Sequence, residues 1–291
     1  MELRVLQYFL AVTREQSISK AAESLHLTQP TLSRQLKELE EELGKQLLIR
    51  GNRRVTLTEE GMILRKRAEE VIELVRKAED EISLSGENIA GDIMIGAGET
   101  DGVRFLTKAA RAVQKDYPFV HFHIISGDKI TVTESMDKGL IDFGLFVGEI
   151  DTAKYEYINL PYKDTWGVLM RCDSPLAEKK TITPEDLWDK PLIISRQAFH
   201  SSELQKYLQC QTDKLNIVGT YNLLFNGSLM VYDGMGYALC LNNIINVSEN
   251  SSLCFKPFFP KLEAEIYIAW KKYQVLTKAA EKLLQKLQET I

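Results

Sequence analysis

Along the 291 residues the apolar positions follow two regimes, divided near 85–91 by the breakers Gly86, Asn88 and Gly91. Before the division they recur at helical spacing. After it, short apolar runs alternate with amphipathic stretches. In the first regime Leu6, Phe9 and Leu10 mark one helix, and Ser17 or Ser19 is placed to cap a second carrying Ala21, Ala22 and Leu25. Leu27 and Thr28 form a turn. A third helix follows, with Pro30 in its first turn, Leu32, Leu36, Leu39 and Leu43 along one face, and Gly44 as its C-cap. Leu47-Leu48-Ile49 and Val55-Thr56-Leu57 flank a basic turn and read as a β-hairpin wing with Gly51-Asn52 at its tip. A long helix then starts at Thr58. Its apolar positions, Leu64, Ala68, Val71, Val75, Ala78 and Ile82, are spaced 4, 3, 4, 3 and 4. That heptad seam predicts dimerisation, with packing on its own domain as the competing reading.

In the second regime strand-like runs cover 93–95, 122–125, 143–147, 167–170, 192–194 and 266–270. Helical candidates lie near 104–116, 131–139, 202–210, 226–234 and 274–289. This alternation predicts an α/β fold with a parallel or mixed sheet and helices on both faces. Small ligands bind such sheets beyond the carboxyl ends of the strands.

Composition narrows the picture. Hydrophobic residues make up 44% and charged residues 26%, ordinary values for a globular chain long enough for two domains. No run approaches the roughly 18 apolar residues of a membrane span. The start, Met1-Glu2-Leu3-Arg4, lacks the pattern of a signal peptide, so a cytoplasmic protein with no membrane partner is expected. Cys172, Cys210, Cys240 and Cys254 are scattered and form no CxxC pair. Four free thiols are the expectation, with a redox-sensing pair as the alternative.

The net charge of −5 argues against nonspecific coating of nucleic acid, but specific contact depends on the local field. Residues 1–60 hold nine basic and nine acidic side chains, and the basic ones are grouped: Arg34 with Lys37, then Arg50, Arg53 and Arg54. Within 17–44, Ala21 and Ala22 permit two helices to cross closely. The third helix then offers Thr28, Gln29, Pro30, Thr31, Ser33 and Arg34 to solvent. Gln matches adenine, Arg matches guanine, and a Thr methyl meets that of thymine. The wing arginines are placed to reach phosphates or a minor groove. Lys20 joins this set of expected DNA contacts.

On these residues the chain resembles the LysR-type transcriptional regulators. The likeness is carried by Phe9-Leu10-Ala11-Val12, Ser17 to Ala22, Gln29-Pro30, Leu32-Ser33, Leu43-Gly44, Thr56-Leu57-Thr58 and Gly61, and weaker marks continue to the end. Among these are Gly91-Asp92-Ile93, Tyr117-Pro118 and Gly234 to Ala238. Departures are Leu47-Leu48 for the usual Leu-Phe and Leu241-Asn242 for Leu-Pro. The resemblance implies a winged helix-turn-helix over 1–58, a linker and dimerisation helix over 59–87, and an effector-binding domain over 91–291. That last domain would be two-lobed, like the periplasmic binding proteins. Lobe I would take 91–161 and 266–291 and lobe II 162–265, with crossings near Pro161 and Glu263–Glu265. Homodimers that assemble into homotetramers, operator DNA whose bend changes with a bound inducer, and RNA polymerase as a further candidate partner complete the expectation. No cofactor and no catalytic residue is implied.

By position, the resemblance places three segments around an effector pocket. The first contains Glu99, Thr100 and Asp101 at a helix start, where free N–H groups suit an anion; if Glu99 and Asp101 face inward they oppose a carboxylate, so the alternatives are that they point outward or that the ligand is polar or cationic. The second contains Ser126 and Asp128. The third contains Ser195, Arg196 and Gln197 with Phe199 and His200 nearby, and Arg196 is the candidate clamp for a carboxylate. Asn226 would approach from the opposite side.

Two other classes stand beside this reading. Gly96-x-Gly98-x-x-x-Gly102 resembles a dinucleotide loop of a nucleotide-dependent enzyme, but its third glycine comes one residue late, and no GxSxG elbow exists. His121 and His123 alternate along one strand and read as a packed or wet face rather than a metal site. The helix-turn-helix could also serve protein docking, which DNA binding with a steep salt dependence would exclude.

Overall fold

The computed structural model describes residues 1–51, 54–83, 89–198, 202–208, 215–248 and 251–290. The chain divides into two compact units, 1–85 and 86–291. The expected junction residues Gly86 and Asn88, the wing-tip residue Asn52 and Cys210 lie outside the described residues.

The first unit contains α1 (Leu3–Glu15), α2 (Ile18–Ser24), α3 (Gln29–Leu43), a hairpin of β1 (Leu48–Arg50) and β2 (Val55–Leu57), and α4 (Glu59–Ser83). Local chemistry sets each boundary. Ser17, not Ser19, caps α2: its side chain accepts from Lys20 N at 3.3 Å, a contact worth about 1 kcal/mol. Thr28 does the same for α3 through Thr31 N, and Gly44 ends α3 in the left-handed region at φ 63°. Phe9, Val12, Ala21, Ala22, Leu32 and Leu36 form the core on which the three helices meet. The hairpin pairs Leu48 with Leu57 and Arg50 with Val55.

The long helix is not a separate linker over its whole length. Leu64 packs against the core of its own unit and Ala68 is 1% exposed there. The seam expected for dimerisation therefore loses its first two members to intramolecular packing. Val71, Val75 and Ala78 continue past that core, and Ile82 is 75% exposed.

The second unit is a mixed sheet in the order β4-β3-β5-β11-β6-β9-β7-β8, with β10 pairing β6. The strands are β3 (Gly91–Ala97), β4 (Val120–Ser126), β5 (Phe143–Val147), β6 (Tyr155–Arg171), β7 (Leu192–Ser195), β8 (Ile217–Tyr221), β9 (Tyr237–Leu241), β10 (Leu253–Pro257) and β11 (Glu263–Lys271). Helices α5 (Val103–Asp116) and α9 (Lys278–Thr290) cover one face of the β3-β5-β11 half, and α6 (Lys129–Asp137) covers the other. In the β9-β7-β8 half, α7 (Ser202–Leu208) and α8 (Leu224–Tyr232) take opposite faces. Strand pleating explains how each residue is assigned: Leu192 and Ile194 pack toward α7 while Ile193 between them packs toward α8.

The two halves are lobes joined along β6. This strand pairs with β11 as far as Thr165 and with β9 from Trp166. The first crossing is therefore at Thr165–Trp166 and not at Pro161, which sits inside the β6–β11 ladder. At the switch Asn242 holds both backbone groups of Thr165, donating from N to Thr165 O at 2.9 Å and accepting from Thr165 N through Oδ1 at 2.7 Å. A proline here could make neither bond. Strands β8, β9 and β10 are absent from the expected set; each is five residues long, with β8 interrupted by Gly219 and β10 ended by Pro257.

Candidate nucleic-acid interface and ligand cleft

The N-terminal half of α3 turns its polar side outward. Thr28, Gln29, Pro30, Arg34 and Lys37 are exposed, Thr31 and Ser33 are half-exposed, and Leu32, Leu36 and Leu39 are buried on the reverse. Lys20 is exposed on α2. The wing is tied to this helix: Arg50 Nη1 donates to Ser33 Oγ at 3.1 Å. Arg34 and Lys37 rest on Glu38 and Glu41 at 3.7 and 3.3 Å, both exposed pairs one turn apart. Such pairs are worth about 0.3–0.5 kcal/mol, so a phosphate or base edge can displace the glutamates at little cost. Arg54 is exposed beside the wing tip, and Arg53 lies outside the described residues.

A cavity of about 330 Å³ opens between the lobes of the second unit. Lobe I contributes Gly98, Glu99, Gly127, Asp128, Lys129 and Glu149. From lobe II, Ser195 ends β7 and Gln197 follows it, while Trp166, Tyr221, Leu241 and Ile244 supply apolar surface. Hydrogen bonds join the lobes on both sides of the gap. Leu224 N donates to Glu99 Oε2, and Lys129 N donates to Gln197 Oε1 at 3.2 Å.

Of the described residues in the expected segments, Glu99, Gly127, Asp128, Ser195 and Gln197 lie on the wall, and Thr100, Asp101, Ser126, Arg196 and Asn226 do not. Thr100 is 7% exposed and fully engaged, donating to Asp164 and accepting from Gly102 N at 2.9 Å. Asp101 pairs with Arg104. Ser126 and Asn226 are exposed away from the cavity. Arg196 is also off the wall, which takes Ser195, Gln197 and Ala198 from this stretch, where the chain leaves β7 in a turn. Its charge nonetheless helps hold the Asp128 carboxyl below its usual range, behind the larger effect of hydrogen bonds from Thr131. Phe199 and His200 lie outside the described residues.

Glu99 does face inward, the orientation expected to oppose a carboxylate. Burial pushes its carboxyl up, against the hydrogen bonds from Leu224 and Phe225 N–H that pull it down. Those two amides open α8, whose N-cap residue Leu223 makes no side-chain cap. Glu99 thus caps a helix of the opposite lobe. Beneath it Asp164 is wholly buried, its carboxyl raised chiefly by desolvation.

The remaining motifs resolve into packing. Gly102 leaves room for Ile266, and Gly96 for Val132 and Ile141, so these glycines seat side chains rather than a phosphate. His121 and His123 flank Asp92 at 3.4 and 3.3 Å on an exposed face. Among the described residues no three metal-ligating side chains gather, and no helix is long and apolar enough to cross a membrane. Cys172, Cys240 and Cys254 are free thiols. Burial pushes Cys240 up to about 12.

Residues 3–62 match the description "Bacterial regulatory helix-turn-helix protein, lysR family", and residues 86–291 match "LysR substrate binding domain". The HTH-type transcriptional regulator BsdA of Bacillus subtilis (strain 168) is 30% identical over 249 residues, spanning 79% of this chain and 83% of BsdA. The Hca operon transcriptional activator HcaR of Escherichia coli (strain K12) is 27% identical over 280 residues, spanning 94% of this chain and 92% of HcaR. CbnR, solved in complex with its target DNA, shares the fold at a TM-score of 0.77 and 19% identity, over 100% of both chains.

Proposed function

Because the chain belongs to the LysR family of transcriptional regulators, we propose a specific division of work among its residues. The protein is a DNA-binding regulator and not an enzyme. Its operator contacts are assigned to the outer face of α3. Gln29 and Arg34 read base edges, while Lys37, Lys20 and the wing residues Arg50 and Arg54 hold phosphates. The observation that carries this is the separation of faces on α3, with an exposed polar face opposite three buried leucines.

The cleft between the lobes is the effector site. Its volume is at the small end of small-molecule pockets, and the hydrogen bonds across it make lobe closure sensitive to an occupant. Val71, Val75, Ala78 and Ile82 serve self-association into dimers that pair as tetramers. A cytoplasmic protein that contacts RNA polymerase fits this role.

Fluorescence anisotropy with operator and random duplexes over a salt series tests the assignment. Arg34→Ala should abolish most of the preference for operator. Arg54→Ala should weaken both duplexes alike and reduce the salt slope by about one. Equal loss on both duplexes in both variants would refute the division between base and phosphate contacts.

A further inference from the structure

We propose that the effector is an organic cation, an amine with a compact apolar body, and not a carboxylate. This rests on reading the interlobe cleft as the effector site. Among the described residues on its wall, four carboxylates (Glu99, Asp128, Glu149 and Glu203) face a single ammonium, that of Lys129. The Lys129 ammonium is turned onto the Glu149 carbonyl. Arg196, the guanidinium nearest in sequence, does not line the cavity and lies close enough to Asp128 to lower its carboxyl.

The feature that would otherwise favour an anion is already taken. A helix N-terminus aimed into a cleft attracts negative charge through its free N–H groups and its dipole. Here that end belongs to α8, and the Glu99 carboxylate from the other lobe accepts from Leu224 N. A carboxylate ligand must either evict Glu99 into a half-buried position without partners or settle among like charges, and both are unfavourable. A protonated amine meets the opposite situation. It adds an opposite charge beside carboxylates in a partly desolvated site, where charge-assisted hydrogen bonds are strongest. Trp166 and Tyr221 place aromatic side chains on the wall, and Leu241 and Ile244 cover an apolar body. The cavity of about 330 Å³ limits that body to the size of a small arylalkylamine or diamine.

Isothermal titration of the full chain at neutral pH with phenethylamine, 1,4-diaminobutane and 3-phenylpropionate tests the proposal. At least one amine should bind at least tenfold more tightly than the carboxylate. Glu99→Gln should weaken that amine about tenfold by removing its charge partner. Glu203 is exposed at the start of α7, and Glu203→Gln should weaken it less while leaving the fold intact. Ile244→Trp fills the cavity and should abolish binding. If 3-phenylpropionate binds more tightly and Ile244→Trp abolishes that binding, the cation class is overturned while the cleft remains the effector site. Amine binding indifferent to Ile244→Trp overturns both readings. The absence of binding by either amine overturns the cation class.

Discussion

Gly61 sits in the first turns of α4, where its amide donates to Thr58 Oγ1 at 3.0 Å. Two opposing effects bear on Gly61→Ala. Alanine is the better helix former by about 1 kcal/mol. A Cβ at this position, however, would lie 2.2 Å from the Leu47 carbonyl oxygen and 3.1 Å from Leu57 Cδ2. An ordinary carbon–oxygen contact is about 3.3 Å, so the backbone at Leu47 must retreat by about 1 Å. That carbonyl accepts from Thr58 N at 3.1 Å, Leu47 is 2% exposed, and β1 begins at the next residue. Losing the hydrogen bond costs about 1 kcal/mol and overpacking a further 1–3 kcal/mol, so the net loss is about 2 kcal/mol. Tryptophan fluorescence cannot see it, because Trp166, Trp188 and Trp270 all lie in the second unit. Hydrogen exchange of the α1 and α3 amides reports the first unit directly, and exchange should accelerate about thirtyfold. Unchanged or slower exchange would show that helix propensity outweighs the close approach and would refute the reasoning.

Two further perturbations probe the second unit and the assembly. Tyr155 is buried and its hydroxyl donates to Asp137 at 2.6 Å, the main reason the Asp137 carboxyl lies below its ordinary 3.8. Tyr155→Phe should cost about 1 kcal/mol at neutral pH. Because the folded-state value is depressed, that stability is present above 3.8 and lost as pH falls through the lower folded value, so urea midpoints of the two proteins should converge in acid. A constant gap down to the folded value would contradict this. Val71 is 40% exposed on α4, and Val71→Asp should lower the mass seen by sedimentation while changing first-unit stability by no more than about 0.5 kcal/mol. An unaltered assembly would remove α4 from the interface.

The first unit was legible because its signals are local. Ser17, Thr28 and Gly44 each end or begin an element by bonding within a few residues, and the leucines of α3 mark a buried face by spacing alone. The seam on α4 shows where such reading fails. Its 4-3-4-3-4 spacing is continuous, but Leu64 and Ala68 meet their own core and the later positions do not. Periodicity states that a face is apolar. It does not state what covers that face, and here the cover changes partway along one helix.

The cleft was less legible for a related reason. Its three segments fall at strand ends, which the α/β pattern indicates, but which side chain faces inward depends on single-residue phase. Past Ser195 the chain leaves β7 in a turn, so Gln197 and Ala198 reach the wall while Arg196 does not, and no strand period carries that far. The capping role of Glu99 could not be reached from strand period either. Its partners, the amides of Leu224 and Phe225, come from the other lobe, and the only trace they leave in sequence is negative: Leu223 cannot cap α8. A helix start lacking a local cap requires an acceptor from elsewhere, and a carboxylate at the end of a facing strand is the group best able to supply it. That pairing turns a site expected to attract anions into one that already contains its own.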